Sequence, residues 1–323
     1  MTRAADYNAA MATAAMQQSA ERDLARRILA ACGAEPSAIE PLARFNNPVF
    51  RCALPDGSRI LKISKSPDGA ATRKELLLIE HLARHGVPTP DVERADADGA
   101  LAGRPFMLMR SSGEQTVADL LGHGDVAHQL LTEMGSTLAR IHQAPTDGLP
   151  LSATDRVSPQ GVANYLETLG ATAAALAEQS LLTVEEVARF RALEMPSAVG
   201  ESLCHSDFHV VQCVVHEGRV AAVVDWESAW IGNPLIDLAI SHAYLDYYCP
   251  LALTRSFLSG YLSLREIPSE YGLGYLPVRM AQVLGMLRAW YTRGPEIWHA
   301  AIVQQKVARA VRLFRLYAQR LAS

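Results

Sequence analysis

The residues best suited to chemistry are crowded into one stretch, Leu203-Cys204-His205-Ser206-Asp207-Phe208-His209-Val210-Val211-Gln212, and its continuation Val223-Val224-Asp225-Trp226-Glu227. Between them, Gln212 to Val215 and Arg219 to Val224 read as strands joined by a turn at His216-Glu217-Gly218. A hairpin brings its two open ends side by side. Gln212 and Asp225 are therefore expected close together, with Asp207 on the adjoining loop. Two carboxylates and an amide oxygen meeting at one point suit Mg2+, which keeps few protein ligands and takes others from phosphates. Phosphoryl transfer needs the same parts: one carboxylate to orient a hydroxyl and accept its proton, and an amide and a second carboxylate to hold metal. Taken singly, an Asp before a strand is a turn or cap residue, and a Gln at a strand start is solvated. The joint spacing is what carries the expectation.

A second pair lies upstream. Lys62 interrupts the apolar strand Ile60-Leu61-Lys62-Ile63, and Glu75 follows on the next helix. Alone, such a lysine reads as an edge-strand side chain facing water. With the Asp207 cluster downstream, it reads instead as a phosphate-binding lysine oriented by a helix glutamate.

The elements that position these residues can be followed along the chain. Residues from about Asp6 to Cys32 are Ala-rich and helical in pattern, closed by Gly33. Val49 to Leu54 and Arg59 to Ser64 predict strands around the turn Pro55-Asp56-Gly57-Ser58. Thr72 to His85 predicts a helix, ended by Gly86 and by the extended Val87-Pro88-Thr89-Pro90. Arg104 to Met109 predicts another strand. Beyond Gly113 the pattern is mainly helical: Asp125 to His142, Ser158 to Glu178, Thr183 to Leu193, and Pro234 onward. This sets a helical extension over 1–35, a strand-rich part over 36–112 and a helical part over 113–323 that holds the hairpin. No alternating βαβ units and no GxxxxGK[ST] are present, which argues against a doubly wound sheet and a P-loop fold.

Composition narrows the class further. The chain has 323 residues, 49% of them hydrophobic, and a net charge of −4. That balance lacks the basic field of a nucleic-acid binder. Five cysteines, Cys32, Cys52, Cys204, Cys213 and Cys249, form no CxxC pair. Reduced, mostly buried thiols in a cytoplasmic protein are expected, with neither a zinc site nor a disulfide framework. The N-terminal segment reads as neither a signal peptide nor a membrane helix, and no membrane partner is expected.

The chain resembles the aminoglycoside phosphotransferase and choline kinase family, a branch of the protein-kinase-like fold. That family carries HGDxxxxN, a hairpin, and then DWExxxxGxPxxDLA; here the stretches read HSDFHVVQ and DWESAWIGNPLIDLA. Asp225, Trp226, Glu227, Gly232, Pro234, Asp237, Leu238 and Ala239 fall in register. ILKIS with Glu75, the Gly86 to Pro90 turn, Phe106-Met107-Leu108-Met109 and Leu138-Ala139-Arg140-Ile141-His142 also resemble family segments. The resemblance implies an α+β, bilobal protein-kinase-like fold, with a small β-rich N-lobe and a larger, mainly helical C-lobe. It implies ATP and Mg2+ as cofactors and a hydroxylated small molecule as acceptor: an aminoglycoside-type or other antibiotic, an amino alcohol or a sugar. By the same resemblance Asp207 is the catalytic base, Gln212 and Asp225 hold the metal, Lys62 contacts the α- and β-phosphates and Glu75 orients it. Met107 and Met109 lie on the strand leading to the adenine grip, Asp237 braces the catalytic loop, and His205 is structural.

Three departures from the family pattern stand out. Gln212 replaces Asn, Ser206 replaces Gly with Val210-Val211 in place of Pro-Gly, and the nucleotide loop Arg44 to Phe50 contains no Gly. They leave open an alternative, a nucleotide-binding kinase-fold protein with weak or no transfer. A protein kinase would need DFG and APE, which are absent. For the acceptor, Glu227, Asp246 and Tyr244 are the candidate contacts, with Glu266 and Glu270 as further acids. Tyr247, Tyr248, Trp290, Tyr291 and Trp298 are possible pocket walls or helix packing.

Overall fold

The computed structural model describes residues 19–43, 47–149, 151, 155, 159–197, 199–292 and 300–322. Ser158, Trp298 and the nucleotide-loop residues Arg44, Phe45 and Asn46 lie outside the described residues, as does the start of the expected N-terminal helix. The chain divides into two units. The first contains the chain up to Glu80 together with Thr89–Ser112, and the second contains His81–Pro88 and Gly113–Ser323.

The first unit is built on an antiparallel sheet of β1 (Ala38–Ala43), β2 (Val49–Leu54), β3 (Gly57–Ile63), β4 (Val92–Asp96) and β5 (Phe106–Arg110), in the order β1-β2-β3-β5-β4. Period-two alternation puts Leu61, Ile63, Phe50, Cys52, Phe106 and Leu108 on one face. There they pack against Ala25, Ile28 and Leu29 of α1, helical over 19–31. Gly33, at φ 74°, ends α1 in the left-handed conformation that a glycine adopts without strain. The opposite alternation puts Lys62 beside Met107 and Ile60 beside Met109. The outer strands β1 and β4 were not expected from sequence. Both are edges, one carrying Pro41 and the other the charged run Glu93-Arg94 and Asp96, and edge strands tolerate such residues where central strands do not. The β2–β3 turn is also tighter than expected: Leu54 pairs with Gly57, so Gly57 and Ser58 belong to the strand.

The second unit is mainly helical. Its elements are α3 (Asp125–Gln143), α4 (Pro159–Glu178), α5 (Val184–Arg191), α6 (Pro234–Tyr248), α7 (Leu251–Leu262), the short α8 (Tyr271–Gly274), α9 (Leu276–Thr292) and α10 (Ala300–Ala322). Helices α3 and α7 approach closely because each offers a glycine to the other's backbone. A Cβ on Gly135 would lie 1.9 Å from the Phe257 carbonyl, and one on Gly260 would lie 1.9 Å from that of Thr132. Tyr247 of α6, Leu284 of α9 and Phe314 and Tyr317 of α10 share a second buried core.

Two small sheets frame the chemistry-bearing loop. Strand β7 (Ser202–Cys204) pairs with β10 (Trp230–Gly232), and β6 (Gln115–Thr116) pairs with the hairpin β8 (Cys213–His216) and β9 (Arg219–Val223). The hairpin closes through Glu217 and Gly218, both at positive φ, the geometry that matches strand twist in a two-residue turn. Cys32 is half-buried and the other four cysteines are buried, all as free thiols. Among the described residues, no helix is long and apolar enough to cross a membrane.

Candidate active site

The loop between β7 and β8 carries Asp207, and the segment after β9 carries Asp225. Gln212 sits immediately before β8 rather than in it, and the bond from the Val224 N–H to the Gln212 carbonyl, 3.0 Å, extends the ladder past the strand ends. The three side chains meet. Nε2 of Gln212 donates to Asp207 Oδ2 at 3.2 Å and to Asp225 Oδ2 at 3.3 Å.

Asp237, on the first turn of α6, fixes the loop. Its carboxylate accepts from the backbone N–H groups of His205 at 2.7 Å and Ser206 at 2.8 Å, and from His142 Nε2 at 3.1 Å. It is fully buried, so three donors replace the water it has lost. Since His142 donates through Nε2, its Nδ1 accepts the Tyr261 hydroxyl at 2.8 Å. Cys204 completes a buried trio with His142 and Asp237. That trio is not a metal centre. Both histidine nitrogens are engaged, and burial pushes the Cys204 thiol well up from its ordinary value, so it stays protonated.

His205 joins the two halves of the site. Its Nε2 donates to the Val224 carbonyl at 3.0 Å, and its Nδ1 accepts the Asp207 N–H at 3.3 Å. The ring packs on Trp226, with centroids 4.5 Å apart. Burial holds its pKa below the ordinary value, consistent with a neutral ring that serves as a backbone tie. Ser206, in the place of the family glycine, keeps a left-handed φ of 67° and bonds through its hydroxyl to the Ser228 carbonyl at 2.7 Å. The loop thus keeps a glycine-like path with a side chain present.

Two residues beside Asp207 were not singled out as its partners from sequence. The Tyr244 hydroxyl donates to Oδ1 at 2.6 Å, and His209 Nε2 lies 3.6 Å from the same oxygen. His209 Nδ1 accepts the Val211 N–H at 3.2 Å, which leaves the proton on Nε2, facing the carboxylate. Burial alone would raise the Asp207 pKa; His209, Tyr244 and His205 outweigh it and hold the carboxyl below the ordinary value. His209 was visible in the HSDFH string, but nothing in its spacing distinguished a ring aimed at Asp207 from one buried elsewhere. Tyr244 lies 37 residues away in sequence, and only the packing of α6 brings it here.

Of the other expected acceptor contacts, Glu227 is half-buried on the short turn after Asp225. Asp246 is drawn into the helical interior, where it accepts from Tyr317 at 2.7 Å and Thr254 at 3.4 Å. In the first unit, Lys62 Nζ pairs with both oxygens of Glu75, at 2.8 and 3.0 Å, and both side chains are largely buried.

The sequence profile of the phosphotransferase enzyme family matches residues 38–271. The chain belongs to this family. Acyl-CoA dehydrogenase family member 10 of Mus musculus is 28% identical over 216 residues, covering 64% of this chain; the match spans only 20% of that relative's own length. A thermostable mutant of aminoglycoside phosphotransferase APH(4)-Ia superposes with a TM-score of 0.62 at 16% identity, covering 91% of this chain and 98% of that one. Amicoumacin kinase hAmiN, in complex with AMP-PNP, Ca2+ and Ami, superposes with a TM-score of 0.59 at 19% identity over 87% and 88% of the two chains. The mixed fold, a small antiparallel sheet and a larger helical part, is that of these kinase-like phosphotransferases.

Proposed function

We propose that this phosphotransferase-family chain moves the γ-phosphate of ATP to a hydroxyl of a small molecule, with Asp207 as the base. The observation that carries this reading is the convergence of Asp207, Gln212 and Asp225 on a loop whose backbone is clamped by Asp237. A carboxylate held ionised and immobile is what an attacking hydroxyl needs: it orients the O–H and takes the proton as the bond to phosphorus forms. Asp237 fixes the backbone just before Asp207 and His205 holds the N–H of Asp207 itself, so little reorganisation accompanies the proton transfer.

The donor set fits Mg2+. Asp225 offers a carboxylate, and a half-turn of the Gln212 amide about its last side-chain bond offers Oε1 in place of Nε2, giving the hard oxygen donors this ion takes. Bound there, Mg2+ would neutralise phosphate charge. In the strand-rich unit, the Lys62–Glu75 pair presents an ammonium at fixed orientation for the nucleotide phosphates, and Met107 and Met109 share its face of the sheet as candidate adenine contacts.

ADP release from ATP, measured with a panel of hydroxylated acceptors and with Asp207→Asn as the control, tests the reading. Acceptor-dependent release that disappears in the variant supports it. Nucleotide binding with no acceptor-dependent release would favour the alternative of a kinase-fold binding protein, which the engagement of Gln212 Nε2 with both carboxylates also favours.

A further inference from the structure

The wall beyond Asp207 in the helical unit is aromatic and then cationic. The ring of Tyr244, whose hydroxyl reaches Asp207, packs 4.3 Å from His209, and Tyr248 stacks 6.1 Å from His209 and 6.5 Å from Tyr244. On the Tyr248 ring stands the ammonium of Lys306, 5.2 Å from the centroid. The same ammonium lies 5.2 Å from the Trp290 ring and 5.7 Å from Tyr247. Arg309, one turn further along α10, places its guanidinium carbon 5.4 Å from Tyr247.

Lys306 is half-buried, and among the described residues no carboxylate pairs with it or with Arg309. Ring faces attract the ammonium but give its N–H groups no oxygen acceptor. Desolvation, and then the neighbouring Arg309, lower its pKa, in keeping with a cation that has no counter-ion among the described residues. Tyr248 lies between the two ends of this arrangement: burial is the main cause that raises its pKa, the Asp207 charge adds to the rise, and Arg309 opposes it. Meanwhile the acid best placed on α6 to meet a cationic acceptor, Asp246, is committed to Tyr317 and Thr254. A cationic acceptor would find this aromatic cage already filled by Lys306.

Resting on the reading of Asp207 as the base, we propose that the acceptor carries an anionic group, carboxylate or phosphate, which docks on Lys306 and Arg309 while its hydroxyl faces Asp207. The rings of Tyr244 and Tyr248 line the path between the two ends of such a molecule. Charge-assisted hydrogen bonds to the ammonium supply the acceptors that the rings do not.

The test uses ω-hydroxycarboxylates of increasing chain length, the matching diols, the matching amino alcohols, and glycerol phosphate as the phosphate arm. Transfer is followed by ADP release and binding, separately, by calorimetry. At the best chain length an anionic acceptor should bind at least about tenfold more tightly than its diol or amino alcohol. Whether the carboxylates or glycerol phosphate show this preference identifies the anion. Lys306→Met keeps the apolar stem among the rings, and thermal unfolding checks that it folds. It should erase most of the preference, raising the KM of the anionic acceptor far more than that of the diol. Lys306→Glu should turn the preference toward the amino alcohol. A wild-type preference for diol or amino alcohol, equal losses across the three classes in Lys306→Met, or no saturable binding of any anionic probe overturns the proposal. Charge-dependent binding without transfer would leave the docking inference standing and remove the phosphotransferase reading; transfer without charge preference does the reverse.

Discussion

The Tyr244 hydroxyl donates to the Asp207 carboxylate across 2.6 Å, from a helix that begins 27 residues after that aspartate. A short hydrogen bond to an ionised acceptor favours the charged form. Tyr244→Phe removes it and should raise the Asp207 pKa, moving the acid limb of the kcat/KM profile to higher pH. The position of that limb, measured in both proteins, decides the point. An unmoved limb would mean that Asp207 is not the group whose ionisation controls the reaction.

Asp207→Asn keeps the shape and loses the base. It should lower kcat by about 10²-fold or more, with nucleotide affinity and unfolding midpoint nearly unchanged. A variant that retained most of its turnover would take Asp207 out of the chemistry.

The Lys62–Glu75 pair makes a prediction with a built-in control. Lys62→Ala should raise the KM for ATP far more than that for the acceptor, and Glu75→Ala should show a milder form of the same defect. Each single change also removes an ion-pair partner from a largely buried charge, which costs about 3–5 kcal/mol of stability. Unfolding midpoints of the singles and the double separate the effects: if stability alone is at stake, the double variant, which removes both charges together, should regain ATP use. Continued loss of ATP use in a stably folded double places Lys62 on the nucleotide.

At Gln212 the expected outcome is loss. Its side chain spans to both Asp207 and Asp225 at 3.2 and 3.3 Å from a position one residue before β8. Gln212→Asn is one methylene shorter and should fall short of this point, so the Mg2+ concentration for half-maximal activity should rise. An unchanged or lower requirement in a metal titration would show that the amide does not serve the metal.

Three buried histidines tie stability to pH. Burial is the main cause holding His142, His205 and His242 below the ordinary histidine pKa. The unfolded chain therefore binds more protons as pH falls below about 6.5, and the folded state loses stability by up to about 1.4 kcal/mol per histidine per pH unit. This stabilisation is complete above that pH and fades below it. Urea midpoints should drop between neutral pH and mildly acid pH, before the carboxylates titrate; equal midpoints would contradict the buried neutral rings.

The part of the site that is local in the chain was legible from residue order alone. The spacing of Asp207, Gln212 and Asp225 around a hairpin fixes their convergence, because a two-residue turn leaves the strand ends no other place to be. The lysine on β3 and the glutamate on the next helix, α2 (Ala70–Arg84), were legible for a similar reason: one short connection joins their elements. Asp237 was legible only through the resemblance of its motif, since its donors come from two distant parts of the chain, the His205–Ser206 backbone and His142. Whatever depends on which helix faces which was settled by long-range packing. The pairing of His142 with Asp237 spans 95 residues. The packing of α1 against the sheet rests on an alternation that the Ala-rich segment itself does not advertise. The surroundings of Asp246, an expected acceptor contact, and of Lys306, not singled out from sequence, were hidden for the same reason. Periodicity along α6 and α10 shows which residues share a face, but the rotation and register of two packed helices are set by ridge-and-groove contacts between side chains distant in sequence. Those contacts turned an acid expected at the acceptor inward and left a lysine among the rings near Asp207.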